Sequence, residues 1–361
     1  MVYKFLIYIS YTYAIPIGKP LENEINKRGY VVKWFSDEPE AKKELLKSNS
    51  DVFSNIEEVI AYEPHIILAA TDSVPDFINA LKVQIFHGFN AEKRKFEIDH
   101  FRIRGLFDLY CTQGPSTTSV FKRLQEKQPH YDVIETGWSK VDPLFPITMK
   151  EKSKIPTIFV ASTFTERLSL AHDNEVFEVV EKLSNSGKYK FLMVLHPKIP
   201  IEIVNKWKAL ENEYFTFYNT TNLIPLFKKA DIMFADTTSA IQEFLIQKKP
   251  VVTFKHFLEK DYLIQIKEAS KIEKSFDFAL TYPEELINKI EKYILELHPY
   301  FDGKSSERII NATINFLHKD KDYLKPKPLN LVRKFKMRKH LKYYTLKSYN
   351  KPLTIKIEDL K

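Results

Sequence analysis

The stretch that decides the fold is Asp231–Phe254, DIMFADTTSAIQEFLIQKKPVVTF. Its ends, Asp231–Ala235 and Pro250–Phe254, are apolar runs of strand length, and Ser239–Gln247 between them reads as a helix. Strand, helix and strand in sequence form the unit of a parallel sheet, whose neighbouring strands need a crossover. The turn carries Asp236-Thr237-Thr238-Ser239, so consecutive hydroxyls meet a helix N-terminus. Unpaired backbone N–H groups, the positive end of the helix dipole and those hydroxyls suit a phosphate without any glycine. A plain Ser/Thr cap produces the same pattern. Glu243 is one turn further on. It either reaches a ribose hydroxyl, fixes the loop, or is an ordinary exposed helix glutamate.

The alternation continues in both directions. Before this stretch, strands are expected at Thr157–Ala161, Lys190–Leu195 and Tyr214–Tyr218, with helices at Asn174–Ser184, Ile201–Leu210 and Asn222–Lys229. Pro283–Leu297 and Ser306–Leu317 read as terminal helices. The first half repeats the pattern, with strands at Lys4–Ser10, Tyr30–Phe35, His65–Ala70, Val83–His87, Phe107–Thr112 and Asp132–Thr136. Its helices are expected at Pro20–Arg28 (closed by Gly29), Glu40–Lys47, Ile56–Tyr62, Pro75–Ala80 and Ser119–Glu126. Pro146–Lys154 is polar and charged and serves as the linker. The expectation is an α/β chain of two Rossmann-like domains facing a cleft: residues 1–148, residues 149–322, then a basic tail over 323–361. In such sheets ligands sit beyond the carboxyl ends of the strands.

Composition narrows the function. The chain has 361 residues, 44% of them hydrophobic, but only 8 glycines. It contains neither G-x-G-x-x-G nor G-x-x-x-x-G-K-[ST], which disfavours dehydrogenase and P-loop readings. The single cysteine, Cys111, falls in an expected strand and has no cysteine partner for a disulfide or a thiolate metal site. The N-terminus is apolar for only about eight residues, without the pattern of a cleaved leader. No apolar run approaches the ~18–20 residues of a membrane span. The expectation is therefore a cytoplasmic protein, soluble or peripheral. Net charge is +8, and the excess is concentrated in 325–361, where only Glu358 and Asp359 oppose the lysines and arginines. Leu331, Phe335, Met337, Leu341, Tyr343 and Tyr344 interleave with those cations. The segment reads as a surface for an anionic membrane, as a solvated helix packed on the body, or as a nucleic-acid contact.

Two histidines close expected strands. His87-Gly88 ends VQIFH and His196-Pro197 ends KFLMVLH. Imidazole is the usual general base near neutral pH, and Gly88 leaves room for a ligand to approach. Each histidine also has a purely structural reading, as a hydrogen-bonded group at a strand end. Lys93 and Arg94 follow His87 as anion contacts or a solvated basic pair. Thr163 lies in the hydroxyl-rich Ser162–Thr165, and Thr221 precedes an expected helix, where it can simply cap.

The order of HGFNAEKR, FDLYCTQGPS, TGWSKVDPLF, IFVASTFTERLSLAHD, LHPK and DIMFADTTSAIQEFLIQKKPVVTF resembles the CDP-glycerol:poly(glycerophosphate) glycerophosphotransferase family of teichoic-acid and capsule enzymes, from about Val83 to Phe254. The resemblance implies a GT-B fold with the donor in the C-terminal domain. It implies that His87 is the base for the acceptor hydroxyl and that His196 contacts the donor pyrophosphate. Thr238 and Ser239 grip donor phosphate, joined in the donor set by Thr237, Glu243, Thr163 and Gly88. Asp142 matches the acid of a G-x-x-x-x-D element and, with Lys93, Arg94 and Thr221, completes the candidates. Thr237 stands where the family has Tyr, Thr238 where it has Ser, Glu243 where it has Asp, and Gly137–Asp142 lacks the usual Pro and Arg. The implied activity is transfer of a polyol phosphate from a CDP-linked donor to a glycan or lipid-linked acceptor at the inner face of the cell membrane. No cofactor, metal or nucleic acid is required. SAIQEFLIQKKPV also resembles the S-G-G-x-Q-E-E segment of UDP-N-acetylglucosamine 2-epimerases through Gln242-Glu243. That keeps a nucleotide-sugar enzyme open, and a non-catalytic glycan- or membrane-binding protein is the alternative of another class.

Overall fold

A computed structural model describes residues 2–89, 100–147 and 154–356. They form two compact units. The first holds 2–88, 100–145 and 298–356; the second holds 154–297 with Phe89, Pro146 and Ile147.

The first unit is built on strands β1 (Lys4–Ile9), β2 (Val31–Ser36), β3 (Ile66–Ala69), β4 (Leu81–Gln84), β5 (Leu109–Thr112) and β6 (Asp132–Glu135). All pair in parallel, in the order β2-β1-β3-β4-β5-β6. β3, β4 and β5 are buried at every position, as a parallel sheet covered on both faces demands. Its helices are α1 (Ile15–Lys27), α2 (Pro39–Lys47), α3 (Ile56–Tyr62) and α4 (Pro115–Lys127). α1 begins earlier than expected, because its buried stripe of Ile17, Leu21 and Ile25 carries the helix through Pro20. Gly29, at φ 72°, ends it as expected. A Cβ on Gly18 would lie 2.2 Å from the Trp34 ring, so α1 can lie against β2 only with glycine there.

The second unit carries β7 (Thr157–Ser162), β8 (Lys190–Leu195), β9 (Phe215–Phe217), β10 (Ile232–Ala235), β11 (Val251–Phe254) and β12 (Ile264–Ile266). They are also all parallel, in the order β12-β11-β10-β7-β8-β9. Its helices are α5 (Asn174–Ser186), α6 (Ile201–Lys208), α7 (Ile224–Lys229), α8 (Ala240–Leu245), α9 (Ile272–Ala279) and α10 (Glu284–Leu297). Its core gathers Phe191, Trp207, Phe215, Phe234 and Phe276.

Two expectations are corrected here. The second unit ends at Leu297, not near 322. The chain then returns to the first unit, where α11 (Ser305–His318) packs on α1. Asp142 fixes that return, since its carboxylate accepts the backbone N–H groups of Ser305 (2.8 Å) and Ser306 (2.7 Å) and the Ser306 hydroxyl (2.7 Å). The basic segment follows the reading of a helix packed on the body. α12 (Leu331–His340) and its flanks form a strap on the first unit. Met337, Leu341 and Tyr343 pack on the core, Arg338 pairs with Asp76 at 2.6 Å, and Lys327 pairs with the fully buried Asp108. The expected helix at Pro75–Ala80 is a turn. The expected linker lies mostly outside the described residues.

Candidate functional site

In the second unit the chain runs from β7 outward through β8 and β9, then crosses back to β10 on the other side of β7. The switch point is therefore between β7 and β10, and a crevice opens at such a point beyond the carboxyl ends. Asp236, directly after β10, is fully buried there. Its carboxylate accepts from the Ser162 hydroxyl (2.6 Å) and from the N–H groups of Thr163 (3.0 Å) and Leu170 (3.0 Å). Burial pushes this carboxyl above its ordinary value, while the bonds from Ser162, Leu170, Thr163 and Thr237 pull against that. Asp236 thus knits β7 to β10 and fixes where Thr237–Ser239 begins.

Thr237 is buried, and its hydroxyl has no hydrogen-bond partner among the described residues. Thr238 and Ser239 are half-buried at the head of α8. The Thr238 hydroxyl oxygen accepts the Ala240 N–H in a long 3.4 Å bond, which leaves the hydroxyl's own O–H to donate. Glu243 is 5% exposed, which removes the exposed-glutamate reading. Thr163 is buried, with its backbone committed to Asp236.

His196 follows β8, which neighbours β7. Its Nδ1 accepts the Lys198 N–H at 3.1 Å, so the neutral ring carries its proton on Nε2, the form that donates to a phosphate oxygen. Phe164, 43% exposed, sits 4.6 Å from the His196 ring, and the Lys198 ammonium lies 5.5 Å from the Phe164 ring. Neither Phe164 nor Lys198 was legible as a site residue, because only the β7–β8 pairing brings them together. Thr221 follows β9 at the sheet edge, away from the switch point. The neighbouring Thr220 hydroxyl takes the Asn222 N–H at 3.0 Å.

In the first unit the switch point lies between β1 and β3, where the Ser10 hydroxyl donates to Thr71 at 3.2 Å. His87 lies beyond β4, the neighbour of β3, and its side chain is 42% exposed. The chain reaches it through Phe86, held at φ 58°, a left-handed conformation costly for a bulky residue. Two tethers hold this turn: the Trp138 indole N–H donates to Phe86 O at 3.3 Å, and the Gln113 amide donates to Gly88 O at 3.1 Å. Among the described residues a Cβ on Gly88 would meet nothing within 4 Å. Gly88 shares the unit of His87, not that of the hydroxyl cluster with which it was grouped. Asp72, just past β3, has a carboxylate oxygen 3.8 Å from His87 Nδ1 and the other 2.7 Å from Arg104. The first distance is too long for a hydrogen bond but within reach of Coulomb attraction. Partial burial pulls the His87 pKa down, Asp72 pulls it up and Arg104 pulls it down, leaving it below the ordinary value. An imidazole neutral at physiological pH is ready to accept a proton. Asp142, by contrast, has its oxygens committed to α11. Lys93 and Arg94 lie outside the described residues.

No protein-family model and no curated protein matches the chain. Solved structures do. A variant of the wall teichoic acid polymerase TagF soaked with CDPG matches with a TM-score of 0.61 at 13% identity, over 87% of this chain and 88% of that one. UDP-GlcNAc 2-epimerase from Neisseria meningitidis bound to UDP-GlcNAc matches at 0.57 and 15%, over 86% and 100%. The S. aureus MnaA–UDP co-structure matches at 0.60 and 14%, over 91% and 99%. The chain has the GT-B fold. At these identities the likeness is one of architecture: two six-stranded parallel α/β sheets.

Proposed function

We propose that this chain is a transferase that holds a nucleotide-activated donor on its second unit and uses His87 to activate an acceptor hydroxyl. The observation that carries the reading is the group at the β10–β7–β8 strand ends. His196 with Nε2 protonated, the Lys198 ammonium, the exposed Phe164 ring and the hydroxyls of Thr238 and Ser239 all lie at or beside one switch point. A nucleoside diphosphate offers what this group accepts: anionic oxygens for the donors and a flat base for the ring.

The finer reading is a CDP-linked polyol phosphate, supported by the order of sequence motifs and by the likeness to TagF. The acceptor oxygen attacks the donor's β-phosphorus while its proton passes to His87. The bond from that phosphorus to the bridging oxygen breaks, and CMP leaves with the electron pair. His196 and the hydroxyls meet the charge growing on CMP. Positioning and preorganised electrostatics supply most of the rate in such transfers. A nucleotide-sugar enzyme is the second reading, favoured by the equally good match to structures containing UDP or UDP-GlcNAc.

A thermal-shift panel of CDP-glycerol, CDP-ribitol, UDP-GlcNAc and CMP separates the two. A response to cytidine compounds alone supports the finer reading, and a response to UDP-GlcNAc alone replaces it. Product analysis by mass spectrometry then reads turnover. His87→Ala should lower it by about 10²–10⁴-fold with the donor shift unchanged. Full turnover in that variant removes the base, and no turnover with any donor in the native chain leaves only a binding protein.

A further inference from the structure

α12 has two faces with opposite commitments. One is fixed to the first unit. Lys334 and Arg338 reach Asp76, which also accepts the Ser348 hydroxyl, while Met337 and Leu341 meet the core. The other is open. Leu331 is 70%, Val332 71% and Phe335 59% exposed, and Leu329 just before the helix is 67% exposed. Lys336 and Lys339 stand exposed on the same helix, and 325–356 contains no acidic residue. Large apolar side chains held out in water beside cations are costly unless something covers them.

A shallow cavity of about 420 Å³ opens at the start of α12, lined by Asn330, Leu331, Val332, Arg333 and Lys336. It is apolar on one part and cationic on another, and the Arg333 Nε has no hydrogen-bond partner among the described residues. The same end of the strap touches the His87 neighbourhood. The Asn330 amide donates to Arg104 O at 2.7 Å, and Arg104 holds Asp72 beside His87.

We propose that the outer face of the strap docks the first unit on an anionic bilayer, with Leu329, Leu331, Val332 and Phe335 entering the interface and Arg333, Lys336 and Lys339 meeting acidic headgroups. Apolar side chains that insert and cations that pair are the two signals stable peripheral binding needs. A nucleic acid would use the cations but has no need of the exposed aliphatic group. Because Asn330, at the start of the strap, is hydrogen-bonded to the loop that carries Arg104, docking sets the His87 end of the unit at the membrane surface. A lipid-linked acceptor would be met there. That last point rests on the proposed function; the docking itself does not.

The test is sedimentation of the full chain with vesicles of phosphatidylcholine alone or mixed with phosphatidylglycerol. Binding is expected only to the mixed vesicles, weakening as salt rises. Lys336→Ala and Lys339→Ala should each lower partitioning about five-fold. Phe335→Ser with Leu331→Ser should lower it at least ten-fold with an unchanged melting curve, since both side chains are exposed. Failure to bind mixed vesicles overturns the proposal, as does binding that ignores the Phe335 and Leu331 changes. Concentration-dependent self-association removed by those same changes would assign the face to a second copy of this chain and also overturns it. No donor or acceptor enters the assay, so its failure and that of the transferase reading are separate outcomes.

Discussion

At the scale of single residues, the place of the two imidazoles at strand ends was legible and the charged groups around His87 were not. His87 and His196 stood out because a histidine followed by Gly or Pro at the end of an apolar run sits where α/β sheets place ligands. Asp72 has no such signal. It is one acid in a loop, and it meets His87 only because β3 and β4 are neighbours in the sheet. Asp142 was legible as an acid but not as the cap of a helix more than 160 positions away. The Asp72–His87–Arg104 arrangement makes a signed prediction. Asp72 raises the His87 pKa and Arg104 lowers it. In Asp72→Asn the acid limb of the pH–rate profile should therefore move to lower pH, with kcat down about ten-fold from lost orientation. In Arg104→Gln the limb should move to higher pH. Movement of both limbs in the same direction would show that His87 is not the titrating base.

At the scale of elements, the long periodic segments were legible and the short tethered ones were not. Most strand cores appeared within a residue or two of their expected positions, because a strand buried on both faces leaves an unbroken apolar run. β12 is three residues long at a sheet edge, and α9 follows it; neither was anticipated. Pro75–Ala80 failed as a helix for an identifiable reason. Its Asp76 is drawn into a buried group with Lys334, Arg338 and Ser348 from a strap more than 250 positions later, and the Tyr349 N–H bonds to Asp76 O. Removing the acid from such a buried group leaves two cations unpaired. Asp76→Ala should cost about 3–5 kcal/mol, read as a drop in the urea midpoint. Limited proteolysis should begin to cut within 325–347 while the second unit stays resistant. An intact strap at an unchanged midpoint would mean that its apolar contacts alone hold it.

At the scale of the whole molecule, the two-unit division was legible and the path of the chain was not. Restarting strand–helix alternation announces a second sheet, but nothing in 298–356 says which unit it will join. That is decided by Asp142, by the docking of α11 on α1, and by His298, whose Nε2 accepts the Trp138 N–H at 3.1 Å. The first unit also holds histidines that stay neutral well into the acid range. His100, His130 and His298, all in the first unit, are each held down at about 4, chiefly by burial, with neighbouring groups including Arg104, Lys327 and Arg308 adding to it. Between pH 6.5 and 4 the unfolded chain binds protons at these positions that the folded chain refuses. Their stabilisation is therefore complete above pH 6.5 and is lost as the pH falls to about 4. At 1.36 kcal/mol per unit, buried His130 and His298 each account for about 3 kcal/mol of that loss. Asp236 in the second unit works in the opposite sense, because its carboxyl is raised and acid favours its folded form. Hydrogen exchange followed from pH 7 to pH 5 should therefore show protection falling first in the first unit, with the second retained. His130→Gln should flatten that fall. A uniform loss across both units would place the acid sensitivity elsewhere than in these three rings, and a fall unchanged in the variant would remove His130 from them.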